Sequence, residues 1–278
     1  MTKNSTAEQS DKEHDLRENI ARIKHKLIIL SGKGGVGKST MAVNIAYGLA
    51  QRGKRVGILD IDIHGPSIAK LLGIEGKAIT AGSDKRVQPI KVDENLYAIT
   101  IASLLRSPDD AIIWRGPLKT HIIRQFLQDF EWPSLDYLII DSPPGTGDEP
   151  LSAAQIIGKL DGSIVVTTSQ DLALLDVRKS INFSRKVNVP VLGLLVNMSA
   201  FRCPHCGKII DIFHGTAVQK AAKDFDIEIL GTIPIDENIV EMSDNGKPYI
   251  KYFNQSEPAK EMIKVVDKII SKVEKSVS

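Results

Sequence analysis

Apolar residues along the chain fall into two recurring patterns. Short, nearly unbroken runs occupy 27–30, 55–59, 96–100, 136–141, 163–168, 190–197 and 229–236. Runs of this length, set off by Gly, Pro, Asp or Asn, predict strands buried on both faces. Elsewhere apolar positions recur every three or four residues. They do so across 41–50 and 171–187, through Ile122, Ile123, Phe126, Leu127 and Phe130, and through Met262, Val265, Val266, Ile269, Ile270 and Val273. These predict amphipathic helices. The alternation predicts an α/β fold with a mostly parallel central sheet flanked by helices on both faces. Residues 1–24 read as a polar tail in which Leu16, Ile20 and Ile23 mark one face of a short helix, and residues 25–278 as one domain. Residues 74–95, rich in Gly, Lys and Asp, read as an excursion from it.

Between the first predicted strand and helix lie Gly32, Lys33, Gly34, Gly35, Val36, Gly37, Lys38, Ser39 and Thr40. G-x-x-x-x-G-K-[ST] in a strand–loop–helix setting is the pattern of a phosphate-binding loop. The glycines let successive backbone N–H groups turn inward on a phosphate chain, and the helix N-terminus adds its positive dipole end. In this pattern Lys38 reaches the β- and γ-phosphates and the Ser39 hydroxyl sits on Mg²⁺. A flexible glycine turn is the bland alternative, and the flanking elements weigh against it. Lys33 is surplus to a plain phosphate loop; its side chain can serve a second copy of the protein.

Two strands end in carboxylates. Asp60 and Asp62 follow the second strand, and Asp141 ends the strand before Ser142-Pro143-Pro144-Gly145-Thr146-Gly147-Asp148. The carboxyl ends of strands in an open α/β sheet border the ligand crevice. Asp60 and Asp62 alternate along extended chain and so are expected on one face, one orienting water and the other supporting the metal shell. Asp141 stands where a phosphate-loop protein places its second Mg²⁺ ligand, through water. Gly145 is placed to offer its N–H to a γ-phosphate. Asn197, at another strand end, is placed to read an adenine edge.

The chain holds two cysteines, Cys203 and Cys206, within Cys203-Pro204-His205-Cys206-Gly207. They can bind metal, form a catalytic disulfide, or simply fill space. A redox pair wants its first cysteine at a helix N-terminus, whereas residues 207–213 alternate like a returning strand. Metal binding meets an arithmetic gap, because tetrahedral zinc and cubane clusters usually take four protein ligands. Either His205 and His214 complete a zinc site, or two copies each donate two thiolates across a two-fold axis.

Charge adds a weak exclusion. Lys plus Arg is 36 and Asp plus Glu is 34, a net charge of +2, which argues against a general nucleic-acid binder. No apolar run reaches the length of a membrane span, and the polar N-terminus has no apolar signal core. The sparse cysteines point to a reducing, cytoplasmic setting.

Taken together, these motifs resemble the Mrp/ApbC branch of deviant-Walker ATPases, relatives of the MinD, ParA and nitrogenase iron-protein group. The resemblance spans about residues 25–255. It rests on the phosphate loop, Asp60-Ile61-Asp62-Ile63-His64-Gly65-Pro66-Ser67, Trp114-Arg115-Gly116-Pro117, the 141–148 segment, Asn197-Met198-Ser199 with the cysteine loop near 199–214, Ile233-Pro234-Ile235-Asp236 and Ser243-Asp244-Asn245-Gly246-Lys247-Pro248. Val196 and the reduced His214-Gly215 depart from the family pattern. The resemblance implies a slow, Mg²⁺-dependent ATPase that carries iron–sulfur clusters. It implies that Lys33 reaches a partner's nucleotide and that Lys38, Ser39 and Thr40 bind phosphate and metal. It gives Asp62 the attacking water, Asp141 the Walker B role and Asn197 the adenine. Cys203 and Cys206 would bridge a [4Fe–4S] cluster in a homodimer that serves apo iron–sulfur proteins, with no nucleic-acid or membrane partner. The alternatives are a MinD/ParA-like positioning ATPase with structural zinc at the cysteines, and an electron-transfer reductase, for which one C-x-x-C is a poor match.

Overall fold

The computed structural model describes residues 2–77, 87–103, 116–203, 205–213 and 215–275, without side chains for 2–11 and 116–117. In chain order the elements are α1 (Thr2–Ala21), β1 (Ile23–Leu30), α2 (Lys38–Gln51), β2 (Val56–Asp60), α3 (Ile68–Leu71), β3 (Ile90–Asp93), β4 (Leu96–Ile99), α4 (Gly116–Gln128) and β5 (Leu135–Asp141). There follow α5 (Asp148–Ile157), β6 (Gly162–Thr167), α6 (Leu174–Lys186), β7 (Val191–Val196), β8 (Phe201–Arg202), β9 (Ile209–Ile210), α7 (Ala217–Phe225), β10 (Ile229–Thr232), α8 (Glu237–Asp244), α9 (Tyr249–Tyr252) and α10 (Glu257–Lys275).

Eight strands form one sheet in the order β10-β7-β6-β1-β5-β2-β4-β3. All its pairings are parallel except β3 with β4. Period-two alternation explains the unbroken apolar runs. Leu27 and Ile29 of β1, with Tyr137 and Ile139 of β5, pack on one face with α2, α9 and α10. Ile28 and Leu30, with Leu138 and Ile140, pack on the other with α1 and α4 to α7. Helix α2 is buried nearly all round, because α10 lies over its outer side; a Cβ on Gly48 would press into Val266.

Register brings the chemistry together. Ile29 of β1 and Asp60 of β2 both pair with Asp141 of β5, so three strands end at one level. Strand β1 has β6 on one side and β5 on the other. The connection after β1 runs to β2 on one side and the connection after β5 runs to β6 on the other, which opens the crevice where open α/β sheets bind ligands.

The N-terminal segment differs from expectation. Its helix is twenty residues long, Leu16 is buried and Ile20 packs beside it, whereas Ile23 already belongs to β1. Asn19 fixes this helix, donating to the carbonyls of Leu127, Gln128 and Phe130 at the end of α4. The excursion at 74–95 contains β3, paired beside β4. The pattern along the chain also gave no signal for α5, α7 or α8. Trp114, Arg115, Pro204 and His214 lie outside the described residues.

Candidate functional site

The loop from Gly32 to Gly37 joins β1 to α2. Gly35 and Gly37 adopt positive φ of 75° and 78°, the left-handed region that glycine occupies without strain. The second of these turns the backbone directly into α2. A cleft of about 300 Å³ opens over the loop, lined by Lys33 to Thr40, Asp62, Ser67 and Pro144.

Beneath it lies a buried polar cluster. Lys38 Nζ donates to Asp141 Oδ1 at 2.6 Å, and Ser39 Oγ to Asp141 Oδ2 at 2.6 Å. Asp141 is fully buried, and burial pushes its carboxyl above the usual carboxylate range despite the Lys38 charge beside it. Asp60 is also fully buried, and burial together with the Asp141 charge pushes it up to about 8. Its Oδ1 accepts the Asp62 N–H at 3.0 Å and its Oδ2 the Thr100 hydroxyl at 2.9 Å.

Asp60 and Asp62 therefore do not share a face. The strand ends at Asp60, whose carboxyl turns inward, and the Asp62 side chain alone lines the cleft, its Oδ1 accepting the Gly65 N–H at 3.1 Å. Gly145 also departs from expectation: its N–H donates to the Ser31 carbonyl at 2.7 Å instead of facing the cleft. Asn197 follows β7 and leans on the phosphate loop, its Nδ2 donating to the Val36 carbonyl at 3.0 Å. Lys33 Nζ donates to Gln170 Oε1 at 2.6 Å, a partner the spacing of motifs did not single out.

Ser39 Oγ and the Asp141 carboxylate are hard oxygen donors held against one another, with Asp62 on the same cleft. This set suits Mg²⁺, which takes one or two protein oxygens and completes its shell with phosphate and water.

The cysteines sit at the tip of the antiparallel pair β8 and β9. The Gly207 N–H donates to the Cys203 carbonyl and the Cys203 N–H to the Lys208 carbonyl, both at 2.9 Å, closing a tight turn. The backbone N–H groups of Cys206 and His205, then the Cys206 side chain, hold the Cys203 thiol below its ordinary range. A thiolate is the metal-binding form. Both thiols are free and Cys206 is exposed. Among the described residues, no third His, Cys, Asp or Glu joins them in a metal-holding group. Neither cysteine stands at a helix N-terminus, as the alternation of 207–213 predicts.

A profile of the ParA-type NUBPL iron-transfer P-loop NTPases matches residues 22–270. The chain belongs to this family. It is 46% identical over 273 residues to an iron–sulfur cluster carrier protein of Methanocaldococcus jannaschii, covering 98% of this chain and 92% of the relative. Among solved structures, a nucleotide-binding protein of Archaeoglobus fulgidus in complex with ADP, with cobalt, superposes with a TM-score of 0.77 at 34% identity, covering 90% of this chain and 96% of that one. The septum site-determining protein MinD of Pyrococcus horikoshii, complexed with Mg-ADP, gives a TM-score of 0.65 at 24% identity over 88% and 96% of the two chains, a likeness of fold. As a member of this family the chain is a P-loop NTPase with a mostly parallel sheet.

Proposed function

We propose that this chain is a cytoplasmic, ATP-hydrolysing carrier that, as a homodimer, binds a [4Fe–4S] cluster and passes it to apoproteins. One observation carries the reading: a turn that offers two thiols which, among the described residues, no third His, Cys, Asp or Glu joins, on a body built around a phosphate loop. Two-fold pairing would supply four thiolates from Cys203 and Cys206 of each copy. Ile209 and Ile210, exposed beside the turn, give the hairpin an apolar flank for such a contact.

In this reading the N–H groups of residues 32–40 cradle the phosphates, Lys38 neutralises β- and γ-oxygens, and Asn197 reaches the adenine. Bound Mg²⁺ would be held by Ser39 and, through water, by Asp141, and would supply charge neutralisation at the phosphates. Asp62 orients the attacking water in line with the leaving oxygen. Lys33 leaves Gln170 to reach the partner copy's nucleotide. Among the described residues that line the cleft there is no strong, well-placed general base, which fits slow turnover.

Anaerobic reconstitution tests the assignment. Cys203→Ala is expected to abolish cluster uptake while nucleotide binding persists; a full cluster on that variant defeats the proposal. One zinc per chain in anaerobically purified protein, with no iron or sulfide, would favour the positioning-ATPase alternative.

A further inference from the structure

Both roots of the cysteine hairpin rest on the phosphate loop. The entry root is direct: Asn197, six positions before Cys203, packs so tightly on the loop that a Cβ on Gly37 would overlap its Nδ2. The exit root runs through the connection between β6 and α6. On one side this connection receives Lys33, held by Gln170, and just beyond it a Cβ on Gly32 would overlap Asp176 in the first turn of α6. On the other side, a Cβ on Gly215 would overlap the Ser169 carbonyl. Two positions further along the connection, Asp171 accepts the N–H groups of Thr216 and Ala217 on Oδ1 at 3.0 and 3.1 Å. Gly32 thus packs on the start of α6 from the nucleotide side, and Gly215 on the connection just before it from the cysteine side.

We infer that Gln170 and Asp171 are positioning residues that couple the occupancy of the phosphate loop to the setting of Cys203 and Cys206. Drawing Lys33 onto a phosphate removes its bond to Gln170. The freed connection carries the change through Asp171 to Gly215 and Thr216, where the hairpin returns to the body. No large movement is required, because close-packed contacts of this kind switch between discrete arrangements. The inference rests on the cluster-carrier reading for its purpose, but its test does not need a cluster.

The chain has two cysteines, so alkylation reports on this hairpin alone. Cluster-free, reduced full-length protein is treated with iodoacetamide, with and without Mg²⁺ and a non-hydrolysable ATP analogue, and modification of each cysteine is followed by mass spectrometry. The nucleotide is expected to change the parent's rate by about fivefold, the low end of allosteric coupling. Asp171→Ala should bind nucleotide like the parent and show no such change, and Asp171→Asn, which keeps an acceptor oxygen, should restore it. Gln170→Ala cuts the same path at its other end and should match Asp171→Ala, which covers the case of a variant that fails to fold. A parent insensitive to nucleotide, or an Asp171→Ala or Gln170→Ala chain that responds fully, overturns the inference. Failure of cluster uptake in the parent would defeat the carrier reading and leave this readout intact.

Discussion

The phosphate loop and the cysteine turn are both short loops bearing reactive side chains, yet they are held in opposite ways. Lys38 is 6% exposed and Asp141 fully buried, and the strands beneath them are fixed in register by their neighbours. The cysteine turn has two residues of strand on each side, exposed Ile209 and Ile210, and hydrogen bonds mostly to itself. Beyond its roots, a side-chain tie to the body is Arg202, which donates to Glu257 at 2.9 Å and also to the Gly207 carbonyl of the turn at 3.2 Å. The first site is made by the whole fold and so arrives preorganised. The second is made by local chemistry, so its completion can depend on another molecule.

Lys38→Met should break this comparison open with the largest effect. It leaves Asp141 buried without its cation, at a cost of about 3–5 kcal/mol for a broken buried pair, and removes the charge proposed to meet the phosphates. Denaturant unfolding should show a large loss of stability, and titration a loss of nucleotide affinity. The Cys203→Ser, Cys206→Ser double variant should leave the melting temperature unchanged and, on the proposed carrier function, lose only cluster uptake. A large fall in melting temperature for that double variant would show that the hairpin is woven into the core after all.

Glycines sharpen the same contrast. Gly32→Ala drives a methyl into the Asp176 backbone, and overpacking of this kind costs about 3 kcal/mol. Gly207→Ala meets nothing within 4 Å, but must hold φ at +71°, at about 1 kcal/mol. Equal losses in a urea titration would contradict the difference in packing.

What the sequence makes legible follows from how local each feature is. Strand positions and the phosphate loop depend on contiguous residues, and the structure has them where the apolar runs end. Buried Asp60 was not legible, because its inward turn depends on Thr100, forty positions away at the end of the neighbouring strand β4. Gln170 was silent for the same reason, since its partner Lys33 lies 137 positions earlier. Helix α7 escaped notice because its buried face, Ala217, Val218 and Ala221, is small and weakly apolar. Helix α1 escaped its full length because it is polar through most of its turns and is held by Asn19 and Leu16.

An effect confined to one pH window tests whether the preorganised end carries a stability cost of its own. Asp60 binds its proton up to about pH 8 in the folded chain, because burial and the Asp141 charge oppose ionisation. In the unfolded chain it releases that proton near its ordinary value, about pH 4. Between those limits the folded state binds more protons than the unfolded state, so stability falls as pH rises. Asp60→Asn keeps an oxygen for the Asp62 N–H and an amide for the Thr100 hydroxyl, and removes the titration. The variant's melting temperature should be flatter across this window, and its stability relative to the parent should rise steadily as pH approaches 8. A variant whose stability relative to the parent falls as pH rises would mean that the Asp60 charge is wanted in the fold, and that burial at this strand end does not oppose it.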